Sequence, residues 1–69
     1  MQTYWGIDLG GTKIECVVLS KPSPDAVVLR KRIDTEAHKG YDHILDRIEL
    51  LIDMMRVETG YQPEHIGFG

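Results

Sequence analysis

The residues with the clearest chemical potential are residues 8–13, which read Asp-Leu-Gly-Gly-Thr-Lys. Two successive glycines between strands permit positive φ and leave no side chain in the way, so backbone N–H groups can face one concavity and hold phosphate oxygens. Thr12 adds a hydroxyl donor and Lys13 a positive charge. Asp8, at the end of a buried strand, is placed to hold a hydrated Mg²⁺, and its carboxylate is costly to bury without such a partner.

The same residues are also compatible with a plain hairpin turn, because Gly-Gly, Asp, Thr and Lys are all ordinary turn residues. Spacing alone leaves the turn and the phosphate loop as two open interpretations. Two other phosphate motifs are excluded. Residues 6–13 end in Gly-Thr-Lys and precede strand-like residues, whereas a Walker A loop ends in Gly-Lys-Thr or Gly-Lys-Ser and opens a helix. The Rossmann pattern Gly-x-Gly-x-x-Gly is absent from the sequence.

The elements that must position these residues follow from hydropathy patterning, which predicts a β-β-β-α-β order typical of an α/β domain. The first three strands are expected at about residues 3–9, 13–20 and 26–33. The first two form a hairpin closed by the glycine turn, and the first carries bulky groups on both sides, as expected for a central strand covered on both faces. In the third strand Lys31 interrupts an apolar face formed by Val27, Leu29 and Ile33, which indicates a sheet edge.

Between about residues 41 and 58 the apolar period becomes helical, with a single stripe made of Ile44, Leu45, Ile48, Leu51, Ile52 and Met55. Asp42 suits either the N-cap or the first turn of this helix, and Gly60 suits its C-terminal stop. A fourth strand is expected from about residue 65. It should run parallel to an existing strand because it follows a crossover helix.

Composition limits the chain to a small number of classes. With 69 residues and one cysteine, it has room for at most one small domain and for no intrachain disulfide. Cys16 is expected to be a buried hydrophobic residue, and His38, His43 and His65 lack the close spacing of a zinc site. His43, in the first turn of the helix, is expected to be solvated.

The net charge of -3 and the scattered basic residues argue against nucleic acid as a partner. The basic run at residues 30–32 is expected to be a solvated edge. Neither a signal peptide nor a membrane span is recognisable, so a cytoplasmic location is expected. The chain stops as a new apolar segment begins, which predicts an incomplete domain.

Residues 6–15, Gly-Ile-Asp-Leu-Gly-Gly-Thr-Lys-Ile-Glu, closely resemble the first phosphate motif of the ROK family (repressors, open reading frames and sugar kinases). This family belongs to the actin, Hsp70 and hexokinase superfamily. Related branches read Gly-Thr-Thr at the same place, so Gly-Gly-Thr-Lys favours ROK. The resemblance implies that residues 1–69 are the opening β-β-β-α-β portion of a ribonuclease H-like, actin-like ATPase lobe.

The resemblance further implies an ATP-dependent kinase that phosphorylates a hexose or a hexose derivative. The residues that would surround the ATP phosphates are Asp8, Gly10, Gly11, Thr12 and Lys13. Among them Asp8 would act through Mg²⁺, with water between the carboxylate and the ion. The family's catalytic aspartate, its adjacent Asn and its His/Cys zinc motif would lie beyond residue 69, so the isolated chain is expected to be inactive.

The implied partners are ATP and a sugar, without nucleic acid or membrane, and the full-length protein is expected to be a homo-oligomer. Two alternatives remain open. A sugar-responsive ROK repressor usually carries a helix-turn-helix before this motif, whereas here the motif begins within ten residues of Met1. A non-catalytic actin-like module is the other alternative, and Lys13, where related branches carry Thr or Ser, weighs against it.

Overall fold

Four strands and one long helix make up the computed structural model, which describes residues 2–69. In chain order the elements are β1 (Tyr4–Leu9), β2 (Lys13–Leu19), β3 (Val27–Asp34), a 3₁₀ turn (Ala37–Lys39), α1 (Tyr41–Thr59) and β4 (Ile66–Phe68). The protein is therefore a small mixed α/β domain, as predicted. The strand and helix bounds agree with the sequence-based ones to within one residue, and the 3₁₀ turn was not foreseen.

The strands form one sheet in the order β3-β2-β1-β4. β1 pairs antiparallel with β2 and parallel with β4, while β2 pairs antiparallel with β3. The last residue continues the β4 ladder, because the Gly69 N–H donates to the Ile7 carbonyl at 2.8 Å. The predictions of a central first strand, an edge third strand and a parallel fourth strand are confirmed.

The core lies between α1 and one face of the sheet. Its buried hydrophobic side chains are Trp5, Ile7, Ile14, Cys16, Val18, Leu51 and Met55. Ile48 and Ile52 of the predicted stripe pack against this cluster, but Leu45 is 45% exposed. Leu45 lies at the outer edge of the predicted stripe, about 100° around the helix from Ile44, which leaves it more exposed than the residues at the centre of the stripe.

The other face of the sheet is open within residues 2–69, since the only long helix packs against the opposite side. Tyr4 and Asp8 of β1 point to the open face and are exposed. The expectation that β1 is covered on both faces is therefore wrong for the described residues. The argument that Asp8 is costly to bury fails for the same reason, because an antiparallel hairpin can leave one face in water.

β3 differs from its predicted pattern at its start. Val18 pairs with Leu29 but Leu19 pairs with Val27, so Val28 is an extra residue that resets the alternation. Val27 is consequently 42% exposed and does not share the apolar face. Lys31 does lie on the helix-facing side, where its Nζ is 2.6 Å from Glu58 Oε2 of α1.

Glycines bound α1 at both ends. Gly40 precedes it with φ of 100°, and Gly60 follows it with φ of 76° and donates its N–H to the Arg56 carbonyl at 2.8 Å. Both the first-turn role of Asp42 and the stop at Gly60 are confirmed. In the described part of the chain, no helix has the length and hydrophobicity that crossing a membrane requires.

Candidate functional site

Residues 10–13 form the turn that closes the β1–β2 hairpin. The Gly10 N–H donates to the Lys13 carbonyl at 2.9 Å, just beyond the last strand pair, Leu9 with Ile14. A Cβ on Gly10 would lie only 2.9 Å from the Lys13 carbonyl oxygen. Glycine is thus required here by the close approach of two backbone segments. The predicted reason, positive φ at the glycine pair, is wrong, because neither Gly10 nor Gly11 has positive φ.

Gly11 is a glycine that the fold itself does not need. A Cβ at this position would have no neighbour within 4 Å, and the residue is exposed. The absent side chain leaves the backbone open to an incoming group. The two glycines therefore differ, because the hairpin needs a glycine at position 10 whereas the fold has room for a side chain at position 11.

A buried threonine outside the motif holds the turn in place. Thr35, 1% exposed, directly follows β3. Its hydroxyl donates to the Gly10 carbonyl at 2.9 Å, and its N–H donates to the Thr12 carbonyl at 2.9 Å. Sequence reasoning missed Thr35 because the contact spans 25 residues and no local pattern marks it.

With two of its carbonyls bonded to Thr35, the turn presents unpaired donors to solvent. The N–H groups of Gly11 and Thr12 bond to no acceptor among residues 2–69. Both residues are exposed. Adjacent unpaired amides at an exposed turn are the arrangement that binds an anionic oxygen.

Lys13 lies beside these amides but is already paired. Its ammonium contacts the carboxylate of Asp34, its register partner on β3, and this hydrogen bond and charge lower the pKa of Asp34. The Lys13 side chain remains 50% exposed. Because exposed ion pairs contribute little free energy, a phosphate can replace the Asp34 carboxylate at Lys13. Asp34 was not foreseen, since its role depends on the register between two strands.

Asp8 stands across the hairpin from Glu15 on the open face. Glu15 is 3.9 Å from Arg32 Nε and 4.0 Å from Arg30 Nε, whereas Asp8 has no ion-pair partner in the described chain. A shallow depression of about 400 Å³ collects most of the predicted site and is lined by Asp8, Gly10, Thr12, Lys13, Glu15 and Arg32. Gly11 lines the neighbouring depression, together with Thr12 and Asp34.

The Asp8 carboxylate suits a Mg²⁺ ion that takes most of its ligands from water and phosphate. Across the described residues, no group of three or more His, Cys, Asp or Glu side chains could hold a metal ion. Mg²⁺ usually keeps several waters and binds one or two carboxylates together with substrate phosphates. One exposed carboxylate next to a turn with unpaired amides supplies the protein's share of that arrangement.

A charged cluster ties the segment that carries Thr35 to α1. Glu36, with φ of 56°, has its Oε1 2.6 Å from His43 Nε2 and 3.6 Å from both Lys39 Nζ and Arg47 Nε. The bond to His43, helped by the nearby positive charges, lowers the pKa of Glu36. Arg47 Nε also donates to the Asp34 carbonyl at 2.9 Å. The sequence suggested that His43 is solvated, but the structure shows it bonded to Glu36.

The remaining candidates have structural roles. Cys16 is fully buried, as predicted, and burial raises the pKa of its thiol to about 11. A thiol with so high a pKa is a poor nucleophile. In the basic run Arg30 and Arg32 are exposed, as expected for an edge, but Lys31 is paired with Glu58.

Fold and site together define a small α/β domain whose hairpin turn presents amides, a lysine and a carboxylate to solvent. No model of a known protein family matches the chain, and no curated protein matches it either.

Proposed function

We propose that this chain opens the first lobe of an actin-like ATPase domain in a ROK-type sugar kinase, with ATP as donor and a hexose or hexose derivative as acceptor. The observation that carries the proposal is the turn at residues 10–13, whose Gly11 and Thr12 amides are unpaired and exposed. The β-β-β-α-β order and the parallel return of β4 agree with the opening of such a lobe.

In this proposal the residues of the chain bind and orient the donor. The Gly11 and Thr12 amides donate to phosphate oxygens, and Lys13 exchanges Asp34 for phosphate, so that charge developing during transfer is stabilised. Asp8 orients a hydrated Mg²⁺, which neutralises phosphate charge when bound. The base that accepts the sugar hydroxyl proton belongs to residues outside this chain.

The test is hexose-dependent ADP release by the full-length protein, measured together with ATP affinity. Lys13→Met should raise the KM for ATP about tenfold or more, because a charge-assisted hydrogen bond to phosphate is lost. Lys21→Met is the matched control, since Lys21 is an exposed lysine in the β2–β3 connection. It should leave KM unchanged.

Each outcome discriminates between proposals. No ATP binding and no turnover with any hexose would refute the kinase. Sugar binding without turnover would instead favour the repressor, and ATP binding without sugar binding would favour the non-catalytic module.

A further inference from the structure

We propose that Thr35 is the positioning residue of the phosphate turn, because it fixes the direction in which the Gly11 amide points. This inference rests on the proposed function. It adds a residue that lies outside the Asp-x-Gly-Gly-Thr-Lys motif and belongs to a different strand connection. Thr35 does not touch the ligand in this proposal; it acts through the backbone of residues 10–13.

The argument follows from peptide planarity. In a trans peptide the carbonyl of one residue and the N–H of the next point in opposite directions, and the described chain contains no cis peptide. The Thr35 hydroxyl holds the Gly10 carbonyl at 2.9 Å, so the Gly11 N–H is directed away from Thr35. The Thr35 N–H holds the Thr12 carbonyl at 2.9 Å, which directs the Lys13 N–H away in the same manner.

The same contact accompanies a turn that differs from the ordinary one. In an ordinary two-residue hairpin turn, the first carbonyl accepts the N–H three residues on, which here would be Gly10 accepting from Lys13. In the structure that carbonyl instead accepts from Thr35, and only the Gly10 N–H bonds to Lys13. In this proposal Thr35 therefore draws the Gly10 carbonyl towards the end of β3, and one backbone hydrogen bond closes the turn instead of two.

Thr35 is itself held firmly enough to do this. It is 1% exposed and stands between two residues anchored to α1. Arg47 Nε binds the Asp34 carbonyl at 2.9 Å, and Glu36 Oε1 lies 2.6 Å from His43 Nε2. Since both neighbours are attached to the helix, the direction of the Thr35 hydroxyl is set by the packing of α1 against the sheet.

The test uses the full-length protein and three variants. Thr35→Val keeps the shape and the backbone N–H but removes the hydroxyl, and Thr35→Ser restores a hydroxyl. Thr59→Val is the matched control, because the Thr59 hydroxyl also donates to a carbonyl, that of Met55 at 2.7 Å, near the far end of α1. The probes are Mg-ATP and inorganic tripolyphosphate, titrated against each folded variant alongside thermal denaturation.

Thr35→Val should raise the Kd for both probes by roughly tenfold or more, the effect of misdirecting donors to a charged ligand. Thr35→Ser should recover most of that loss, and Thr59→Val should lower Tm but bind both probes like the wild type. Without nucleotide, the amide resonances of Gly11 and Lys13 should shift in Thr35→Val but not in Thr59→Val.

A folded Thr35→Val that binds both probes like the wild type would overturn the role of Thr35 and leave the proposed function standing. An equal loss of affinity in Thr35→Val and Thr59→Val would also overturn it, because the effect would then follow stability alone. A wild-type protein that binds neither probe would overturn the proposed function itself, and the role of Thr35 with it.

Discussion

Alanine at the two neighbouring glycines should separate the fold of the turn from its ligand chemistry. At Gly10 the new Cβ would meet the Lys13 carbonyl oxygen at 2.9 Å, and a backbone atom cannot move aside as a flexible side chain can. At Gly11 the new Cβ would meet nothing within 4 Å, and φ is not in the left-handed region. The same chemical change therefore has opposite structural consequences one residue apart.

The magnitudes follow from these distances. Gly10→Ala should lower the free energy of unfolding by about 1–3 kcal/mol, the usual cost of forcing atoms into an occupied space. Gly11→Ala should raise it by about 0.4–1 kcal/mol, because alanine restricts the unfolded chain without straining the folded one. Denaturant titration of the variants, with m-values compared to the wild type, measures both changes.

A side chain at Gly11 should cost activity even though it does not cost stability. Gly11→Val places a branched side chain where phosphate would approach, and it should reduce ATP-dependent sugar phosphorylation about 100-fold or more in a protein of wild-type stability. If folded Gly11→Val keeps normal ATP affinity and turnover, the turn does not bind phosphate. If Gly10→Ala is as stable as Gly11→Ala, the inference that Gly10 must be glycine because of its close approach to Lys13 is wrong.

Three further predictions follow from the same geometry. Asp8→Asn should raise the Mg²⁺ concentration needed for half-maximal turnover while leaving Tm unchanged, because the Asp8 side chain is exposed; a lower Tm with normal Mg²⁺ dependence would make Asp8 structural. The folded pKa of Glu36 is lowered from 4.5, so its contribution to stability is present above that pH and is lost as pH falls further. Glu36→Gln should therefore flatten the fall in Tm between about pH 5 and 3, and an unchanged acid limb would contradict this. Cys16, buried with a pKa of about 11, should resist alkylation at pH 8 until denaturant is added, and rapid labelling of the native protein would show that the core is open.

The order and bounds of the elements could be predicted because their signals are local. Helical periodicity, the glycine after α1 and the glycine pair between β1 and β2 each reside in a few consecutive residues. Failures occurred where a distant partner decides the outcome. Val27 does not lie on the apolar face, because an extra residue in β3 shifts the alternation. Asp8 was expected to be buried, but the sequence of one strand does not show how many faces of the sheet are covered.

The candidate site shows the same division. Asp8, Gly10, Thr12 and Lys13 could be proposed from the motif, and the structure does bring them to one depression. The reason for each glycine could not be predicted. The sequence suggests that both glycines need positive φ, whereas the structure shows a close contact at Gly10 and open space at Gly11.

The phosphate binding that we propose for this turn therefore depends on tertiary contacts as well as on the local motif. Taken alone, the hairpin β1–β2 has a Gly10 carbonyl free to accept the Lys13 amide, which is the arrangement an ordinary turn prefers. Thr35 reaches the Gly10 carbonyl only because β3 lies beside β2 and because α1 holds both flanking residues. In the proposed site, the residue after the edge strand, which lies outside the motif, therefore sets the direction of the Gly11 amide.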